Sequence, residues 1–182
     1  MPTISPQAVP AGTYSIDPTH SNVGFEIRHM GIATVRGAFK KFEGSIVAED
    51  GALKLSGSVE VASIDTGEAQ RDGHLQAPDM FDAAQFPQIK FVSTGAQPAG
   101  DGKVTLKGNI TIKDTTKPIE LTGEIGEGGE DPWGNSRIGL EVSGKIDRRD
   151  FGVSWNQVLP NGNLLVSNDV KLVVSVSAVK GS

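Results

Sequence analysis

Apolar and polar residues alternate along most of this chain, from Gly12 onward. At 103–113, valine, leucine, glycine and isoleucine occupy every second position, while lysine, threonine and asparagine occupy the positions between them. Successive side chains of a β-strand point to opposite faces, so this period of two predicts strands with one apolar face. The pattern predicts eight or nine strands, at 14–17, 20–29, 35–49, 52–63, 88–94, 103–113, 118–125, 138–147 and 168–180.

The connections between these segments indicate how the strands are arranged. Turn sequences rich in glycine and acidic residues at 49–51, 100–102 and 126–135 make short connections, which favour antiparallel neighbours. One apolar face sustained over so many antiparallel strands predicts a closed barrel or a sandwich. We therefore expect an all-β fold, with a flexible arm at 1–11 and one barrel domain at 12–182.

One long connection, at 65–87, lacks the alternation. We expect Asp65 or Thr66 to cap a short helix that ends before Pro78, because proline disfavours a helical residue before it. The segment also contains apolar residues that would hold it against one end or wall of the barrel. They are Leu75, Met80, Phe81 and Phe86.

A second pattern is superposed on the first: an apolar residue, a polar residue, glycine, a polar residue and an apolar residue, repeated at 42–46, 55–59, 106–110, 121–125 and 142–146. Each glycine keeps the phase of the apolar residues and so faces inward. Glycine could let the strands of a small barrel bend and coil. Alternatively, the missing side chains could leave room for a slender apolar guest, since an eight-stranded barrel is just wide enough for its own side chains or one small ligand.

We favour the second interpretation. It predicts that leucine at Gly108 or Gly123 reduces the binding of long apolar ligands more than it reduces folding.

Composition narrows the possible partners. The net charge of −5 argues against nucleic acid, which calls for a basic surface. Cysteine is absent, so neither a disulfide framework nor a thiolate metal site can form. No apolar run approaches the roughly 18 residues that span a membrane, so we expect no stable membrane insertion. The opening residues do not resemble a signal peptide. We expect a cytoplasmic protein, or a periplasmic or extracellular one if a leader was removed.

Three histidines, His20, His29 and His74, are the first candidates for polar chemistry, but their spacing matches no metal motif. His29 continues the inward phase of Val23 and Phe25, so it is expected inside a barrel mouth, where it could meet a head group or bind loop backbone. Asp17 and His20 share a tight turn, for which we favour a structural role.

Several arginines could bind a head group or tie segments together. Arg28 and Arg36 are close to His29 in sequence and are candidates for a head-group site with it. Arg71, near His74, could meet an anionic head or fix the irregular segment to the barrel rim. Arg148 and Arg149 stand beside a strand end. The small number of basic residues and the negative net charge favour a neutral or weakly polar head group.

The sequence as a whole resembles the YceI-like family. The resemblance runs from about Tyr14 to Lys180, and its more specific pieces are SIDT (63–66), RDGHL (71–75), FPQIKF (86–91), TKPIEL (116–121) and IDRRDFG (146–152). It implies an eight-stranded antiparallel, lipocalin-like barrel that holds a polyisoprenoid chain. The guest would be a long-chain isoprenoid lipid, including an isoprenoid quinone or its precursor, held by a carrier or storage protein without a cofactor.

The inward phase and this resemblance together give the expected ligand-binding residues. They are Phe25, Ile27, His29, Phe39, Phe42, Gly57, Leu106, Gly108, Ile110, Leu121, Gly123, Val142 and Gly144 in the barrel, and Arg71 and His74 in the irregular segment.

Two other functions stay open. One is an enzyme acting on an isoprenoid or an amide at the mouth, with His29 or His74 as base, although no catalytic motif is present. The other is a stress-protective module with a filled core. A homodimer is also possible.

Overall fold

The computed structural model describes residues 9–98 and 103–181. Of the predicted arm, residues 1–8 lie outside this description. Val9 is buried, with 7% of its surface exposed, and packs in the core. Pro10 accepts a hydrogen bond of 2.7 Å from the hydroxyl of Tyr14. The packed part of the domain therefore begins before Gly12.

The described residues form eleven strand segments and one α-helix. The segments are β1 (Gly12–Ile16), β2 (Asn22–His29), β3 (Ala33–Phe39), β4 (Phe42–Glu49), β5 (Ala52–Glu60), β6 (Ile64–Asp65), β7 (Gln88–Pro98), β8 (Lys103–Ile112), β9 (Thr115–Glu130), β10 (Ser136–Asp147) and β11 (Val166–Lys180), and the helix is α1 (Ala69–Leu75). The pairings among the described strands are antiparallel. Eight strands follow the order β1-β4-β5-β7-β8-β9-β10-β11, which a pairing between β1 and β11 closes into a ring. The prediction of an eight-stranded antiparallel barrel is confirmed.

The three remaining segments extend strands of this ring. Both β1 and β2 run antiparallel to β11, with Ile16 opposite Ala178 and Asn22 opposite Ser175. A short 3-10 turn at Pro18–His20 separates them, so β1 and β2 form one bent strand. In the same way β3 continues into β4, and β5 continues through a 3-10 turn at Val61–Ser63 into β6. The barrel is thus a meander of eight strands in chain order, three of them bent.

The two ends of the barrel differ. At one end, which we call the loop end, the hairpin turn at 30–32 meets two long connections, 66–87 and 148–165. The amide of Met30 donates to the carbonyl of Leu165 at 2.8 Å, and the rings of His74 and Trp155 lie 5.0 Å apart. The other end holds the tightest part of the core, where Tyr14, Ile125 and Ala178 are fully buried. Any opening to the interior is therefore to be sought at the loop end.

The helix α1 lies in the connection where a helix was predicted, but its cap is different. Glu68 is the N-cap and accepts a hydrogen bond from the amide of Gln70 at 3.3 Å. Asp65 instead accepts from the amide of Gly67 at 2.9 Å, and Thr66 binds Asp72. The predicted cap at Asp65 or Thr66 is therefore wrong, because both side chains are used in the turn that precedes the helix.

Candidate functional site: an apolar cavity in the barrel

A cavity of about 760 Å³ occupies the barrel interior. Its inner part is lined by buried leucines of three strands, Leu106, Leu121 and Leu140. Other inward side chains, such as Phe25 and Leu172, are only partly buried, because open space lies next to them. The barrel interior is therefore not filled by its own side chains.

Most of the residues expected from the sequence line this cavity. The twelve that do are Phe25, Ile27, His29, Phe39, Phe42, Gly57, Leu106, Ile110, Leu121, Val142, Arg71 and His74. Their contact with a guest stays a prediction. Gly108, Gly123 and Gly144 do not line it, which corrects the interpretation of the glycine pattern.

The register shows why the five glycines leave no empty layer. Gly44 and Gly57 face each other, but Gly108 pairs with Ile119, Gly123 with Val142 and Gly144 with Leu172. A Cβ at Gly123 would overlap the backbone carbonyl of Glu141 in the adjacent strand, and a Cβ at Gly44 would lie 2.8 Å from the carbonyl oxygen of Ser56. These two glycines allow neighbouring backbones to approach closely where the strands coil.

Gly108 shows a different use of the missing side chain. The ring of Phe91 lies over it, and a Cβ there would be 2.6 Å from Cε2 of that ring as well as 2.7 Å from the carbonyl oxygen of Val92. Gly37, outside the repeated pattern, is covered in the same way by the ring of Phe25. Both rings also line the cavity. Because glycine has no side chain, the ring of Phe91 or Phe25 can lie against the barrel wall at these positions, which leaves more room in the cavity.

Sequence reasoning missed part of the lining. Leu172 and Val174 in β11, Phe81 after α1 and Trp155 in the 148–165 connection all face the cavity. The alternation places Leu172 and Val174 on an inward face, so their signal was present. Phe81 was expected to hold the irregular segment against the barrel, but Phe81 and Trp155 lie in connections without a period, so no phase indicated that they line the cavity.

The Arg71 guanidinium already has partners in the turn before α1. Its Nε donates to the hydroxyl of Thr66 at 2.7 Å and its Nη2 donates to the carbonyl of the same residue at 2.8 Å. Asp72 accepts from the amide of Thr66 at 2.9 Å. These contacts favour the predicted structural alternative, in which Arg71 and Asp72 fix the segment to the barrel rim.

His74 is held on two sides at the loop end. Its Nε2 lies 3.0 Å from Oδ2 of Asp79. The imidazole of His74 and the indole of Trp155 meet edge to face. The carboxylate and the indole fix the orientation of the imidazole beside the cavity. His29 also lines the cavity, at the end of β2 and partly buried, as expected.

The other predicted polar groups divide between the rim and the outside. Arg28 is exposed at the rim and donates to the carbonyl of Gly31 and the hydroxyl of Thr34, both at 3.3 Å. Arg36 is exposed, does not line the cavity, and lies 3.8 Å from Glu26. Arg36 is therefore not placed to meet a guest.

The turn of Asp17 and His20 has the structural role that was favoured. Asp17 accepts from the amide of Thr19 at 3.0 Å, from His20 at 2.8 Å and from Arg137 at 3.0 Å. Hydrogen bonds from His20 and Arg137 hold the pKa of the Asp17 carboxyl well below its usual range. The same guanidinium binds Asp131 at 2.9 Å, so it ties the bend between β1 and β2 to β10.

The described residues contain neither a candidate metal cluster nor a candidate membrane-spanning helix. Among 9–98 and 103–181, no group of three or more His, Cys, Asp or Glu side chains could hold a metal ion. In the same part of the chain, no helix is long and apolar enough to cross a membrane.

Comparison with known proteins identifies the family. The model of the YceI-like domain matches residues 14–178. This chain belongs to the YceI-like family. It is 35% identical over 175 residues to Protein YceI of Salmonella arizonae, and the alignment covers 93% of this chain and 88% of that protein.

Solved structures share the YceI-like barrel. BcnA from Burkholderia cenocepacia matches with a TM-score of 0.78 at 24% identity, over 89% of this chain and 98% of that one. A polyisoprenoid binding domain from Saccharophagus degradans, implicated in plant cell wall breakdown, matches with a TM-score of 0.65 at 12% identity, over 92% and 98%. At these identities the likeness shows the fold.

The motifs that indicated the YceI-like family lie at the loop end of the barrel. RDGHL forms most of α1, and IDRRDFG covers the end of β10 and the 3-10 turn at Arg148–Phe151. Asp147 caps this turn by accepting from the amide of Arg149 at 3.0 Å. The motifs therefore shape the end of the barrel where the two long connections meet.

Among the described residues of this YceI-like barrel, Arg148 is the charged residue that is buried in the cavity lining, with 5% of its surface exposed. Its Nε donates to the carbonyl of Ser167 at 2.9 Å and its Nη1 donates to the carbonyl of Val153 at 2.7 Å. Burial lowers the pKa of its guanidinium, with Asp147 opposing the shift. The sequence indicated a basic residue beside a strand end, but its burial is visible only in the fold.

Proposed function

We propose that this protein binds a long-chain isoprenoid lipid, a polyisoprenoid or an isoprenoid quinone or precursor, inside its barrel as a carrier or storage protein. The observation that carries the proposal is the cavity of about 760 Å³ with an almost wholly apolar lining. This volume is within the roughly 300–1,000 Å³ of ligand sites. An apolar cavity of this size gains free energy when a hydrocarbon replaces water or empty space.

Burial of the chain alone supplies enough free energy. Each methylene group removed from water contributes about 0.8 kcal/mol, so about twenty buried carbons give a gross gain of about 16 kcal/mol. Association and ordering cost about 4–15 kcal/mol. The favourable balance needs no strong polar contact, and the aromatic rings that lie against the wall leave a passage suited to a flexible chain.

The surroundings of the loop end support transfer of such a guest. Ile32 at the hairpin tip is 78% exposed and Val158 in the facing connection is 67% exposed. These apolar side chains would contact a hydrocarbon chain as it enters or leaves. The Saccharophagus degradans protein that shares this fold is itself described as polyisoprenoid-binding, which is consistent with the proposal.

Native mass spectrometry of freshly purified protein, followed by organic extraction and lipid analysis, tests the proposal directly. A co-purifying isoprenoid lipid released intact is the expected result. Chemical conversion of an added lipid would favour the enzyme alternative, and a protein that neither retains nor takes up a prenyl alcohol would overturn the proposal. The same spectra report whether the protein forms the predicted homodimer.

A matched pair of variants tests where the guest lies. Val174 lines the cavity, and its neighbour Val173 points to the opposite face of β11. Val174→Phe should lower the affinity for a prenyl alcohol about tenfold or more, because the ring displaces at least two methylene groups of the guest. Val173→Phe should leave it unchanged. Equal effects of the two variants would place the guest elsewhere.

A further inference from the structure

The Arg148 guanidinium has donors that the protein leaves unused. Its two hydrogen bonds, to the carbonyls of Ser167 and Val153, engage two of the five N–H groups of the side chain. Its Nη2 is fully buried, and among the described residues it has no hydrogen-bond partner. Since buried polar groups in native proteins are nearly always paired, an unpaired donor in the lining of a cavity indicates a missing partner.

Among the described residues, no carboxylate lies within ion-pair distance of Arg148, and Asp147 acts on it only at longer range. The nearest acidic neighbour in sequence, Asp147, is engaged by Arg149, whose Nε and Nη2 donate to its two carboxylate oxygens at 3.0 and 2.6 Å. An arginine keeps its proton in proteins even when burial lowers its pKa, and a buried charge without a counter-ion is costly. The two carbonyls explain how Arg148 fixes both ends of the 153–167 segment. They leave its charge and its Nη2 unexplained.

We propose that Arg148 binds an anionic oxygen, from a carboxylate or a phosphate, at the head of the lipid that occupies the cavity. This inference rests on the proposed function. It replaces the sequence-based preference for a neutral head group, which considered net charge and missed a cation enclosed in the cavity lining. The head then lies beneath the 148–165 connection at the loop end, and the chain extends toward Leu140 and the closed end of the barrel.

The two rival anchors are less suited to this role. Arg71 and Arg28 are exposed, so water and salt weaken their attraction for an anion. Both also have donors engaged, Arg71 with Thr66 and Arg28 with Gly31 and Thr34. The buried Nη2 of Arg148, in contrast, has no hydrogen-bond partner among the described residues and could donate a charge-assisted hydrogen bond to a carboxylate or phosphate oxygen.

The first test uses the unaltered protein and three probes of one chain length: geranylgeraniol, geranylgeranoic acid and geranylgeranyl phosphate. A charge-assisted hydrogen bond is expected to make the acid or the phosphate bind about tenfold or more tightly than the alcohol. Comparing the affinity for the acid with that for the phosphate identifies which anion is preferred. Equal binding of all three probes overturns the inference but leaves the proposed function intact, whereas binding of none overturns both.

The second test assigns the preference to a residue. Arg148→Gln keeps a donor at the position of Nε for the carbonyl of Ser167 and removes the charge, so it should abolish the preference for the anion while the affinity for the alcohol changes less than about threefold. A purely structural role would weaken all three probes equally. Arg36→Gln, on the outer surface, is the matched control for a lost charge and should keep the preference. If Arg71→Gln or Arg28→Gln removes the preference while Arg148→Gln keeps it, the inference is overturned.

If Arg148→Gln does not fold, the contact between Arg148 and the anion is tested in the unaltered protein. In that case the guanidinium signals of Arg148 in nitrogen-15 NMR are followed during titration with the acid and with the alcohol. A large shift with the acid alone supports the contact, and unchanged signals at saturation with the acid refute it.

Discussion

The ring of Phe25 in β2 lies directly over Gly37, its partner in β3. A Cβ at Gly37 would be 2.8 Å from Cε1 and 3.0 Å from Cε2 of that ring. The three atoms nearest to that Cβ all belong to the far end of this one side chain. The width of the cavity near the loop end thus depends on a residue that does not line it.

We expect Gly37→Ala to reduce binding without unfolding the protein. The methyl group would push the Phe25 ring into the cavity and displace the equivalent of about two methylene groups of guest, which lowers the affinity for a prenyl alcohol about tenfold. The free energy of unfolding should change by less than about 1 kcal/mol, since alanine also restricts the unfolded chain. Ligand titration and urea denaturation measure the two effects.

The control for this substitution is Gly95→Ala in β7. No atom of the described residues beyond its chain neighbours would lie within 4 Å of a Cβ there. Binding by this variant should match that of the unaltered protein. A tenfold loss in both variants would mean that alanine in the sheet acts through the backbone.

Gly123→Ala, unlike Gly37→Ala, should strongly destabilise the fold. Its methyl group would overlap the carbonyl oxygen of Glu141, a backbone atom held in the ladder between β9 and β10. Because neither strand can shift without breaking hydrogen bonds, we expect a loss of about 3 kcal/mol or more in the free energy of unfolding. Thermal and urea denaturation test this, and a stable variant with impaired binding would restore the original interpretation of the glycine pattern.

The fluorescence of Trp155 should change when a guest binds in the cavity. This residue is one of two tryptophans and lines the cavity, whereas Trp133 is 78% exposed and lies at the opposite end of the barrel. In Trp133→Phe protein, a bound isoprenoid should shift the fluorescence emission to shorter wavelength, because it excludes water from Trp155. Trp155→Phe protein should show no shift. A response that follows Trp133 instead would place binding at the other end.

Low pH should weaken the ion pair that joins Asp17, in the bend between β1 and β2, to Arg137 in β10. His20 and Arg137 hold the pKa of Asp17 below its usual range, so Asp17 stabilises the fold above its unfolded pKa of about 4 and loses this effect as pH falls through its lower folded pKa. Asp17→Asn should therefore lower stability at neutral pH and flatten the decline in acid.

Urea denaturation at several pH values measures both changes. Part of the acid dependence should remain in Asp17→Asn, because Arg149 lowers the pKa of Asp147 to about 2. An Asp17→Asn variant as stable as the unaltered protein at neutral pH would show that this ion pair contributes little.

The sequence predicted the strands, their inward faces and the apolar interior because these depend on local periodicity. Whether a residue such as Leu106 or Leu172 faces inward follows from its phase along one strand, and the strand count follows from the turns. The same phase predicted that Phe25, Ile27 and Leu121 would line a cavity. It placed Gly57, Gly108 and Gly123 on the same face without distinguishing them.

The tertiary structure decided what lies opposite each inward residue. The stagger of neighbouring strands sets Gly123 against the backbone of Glu141, and leaves Gly57 in the lining of the cavity. Arg137 and Asp17 meet across 120 residues, and Arg148 becomes buried where it binds the carbonyls of Val153 and Ser167 in the connection that follows it. These relationships depend on register and barrel closure, which are properties of strand pairs and of the whole ring, so no single segment of sequence encodes them.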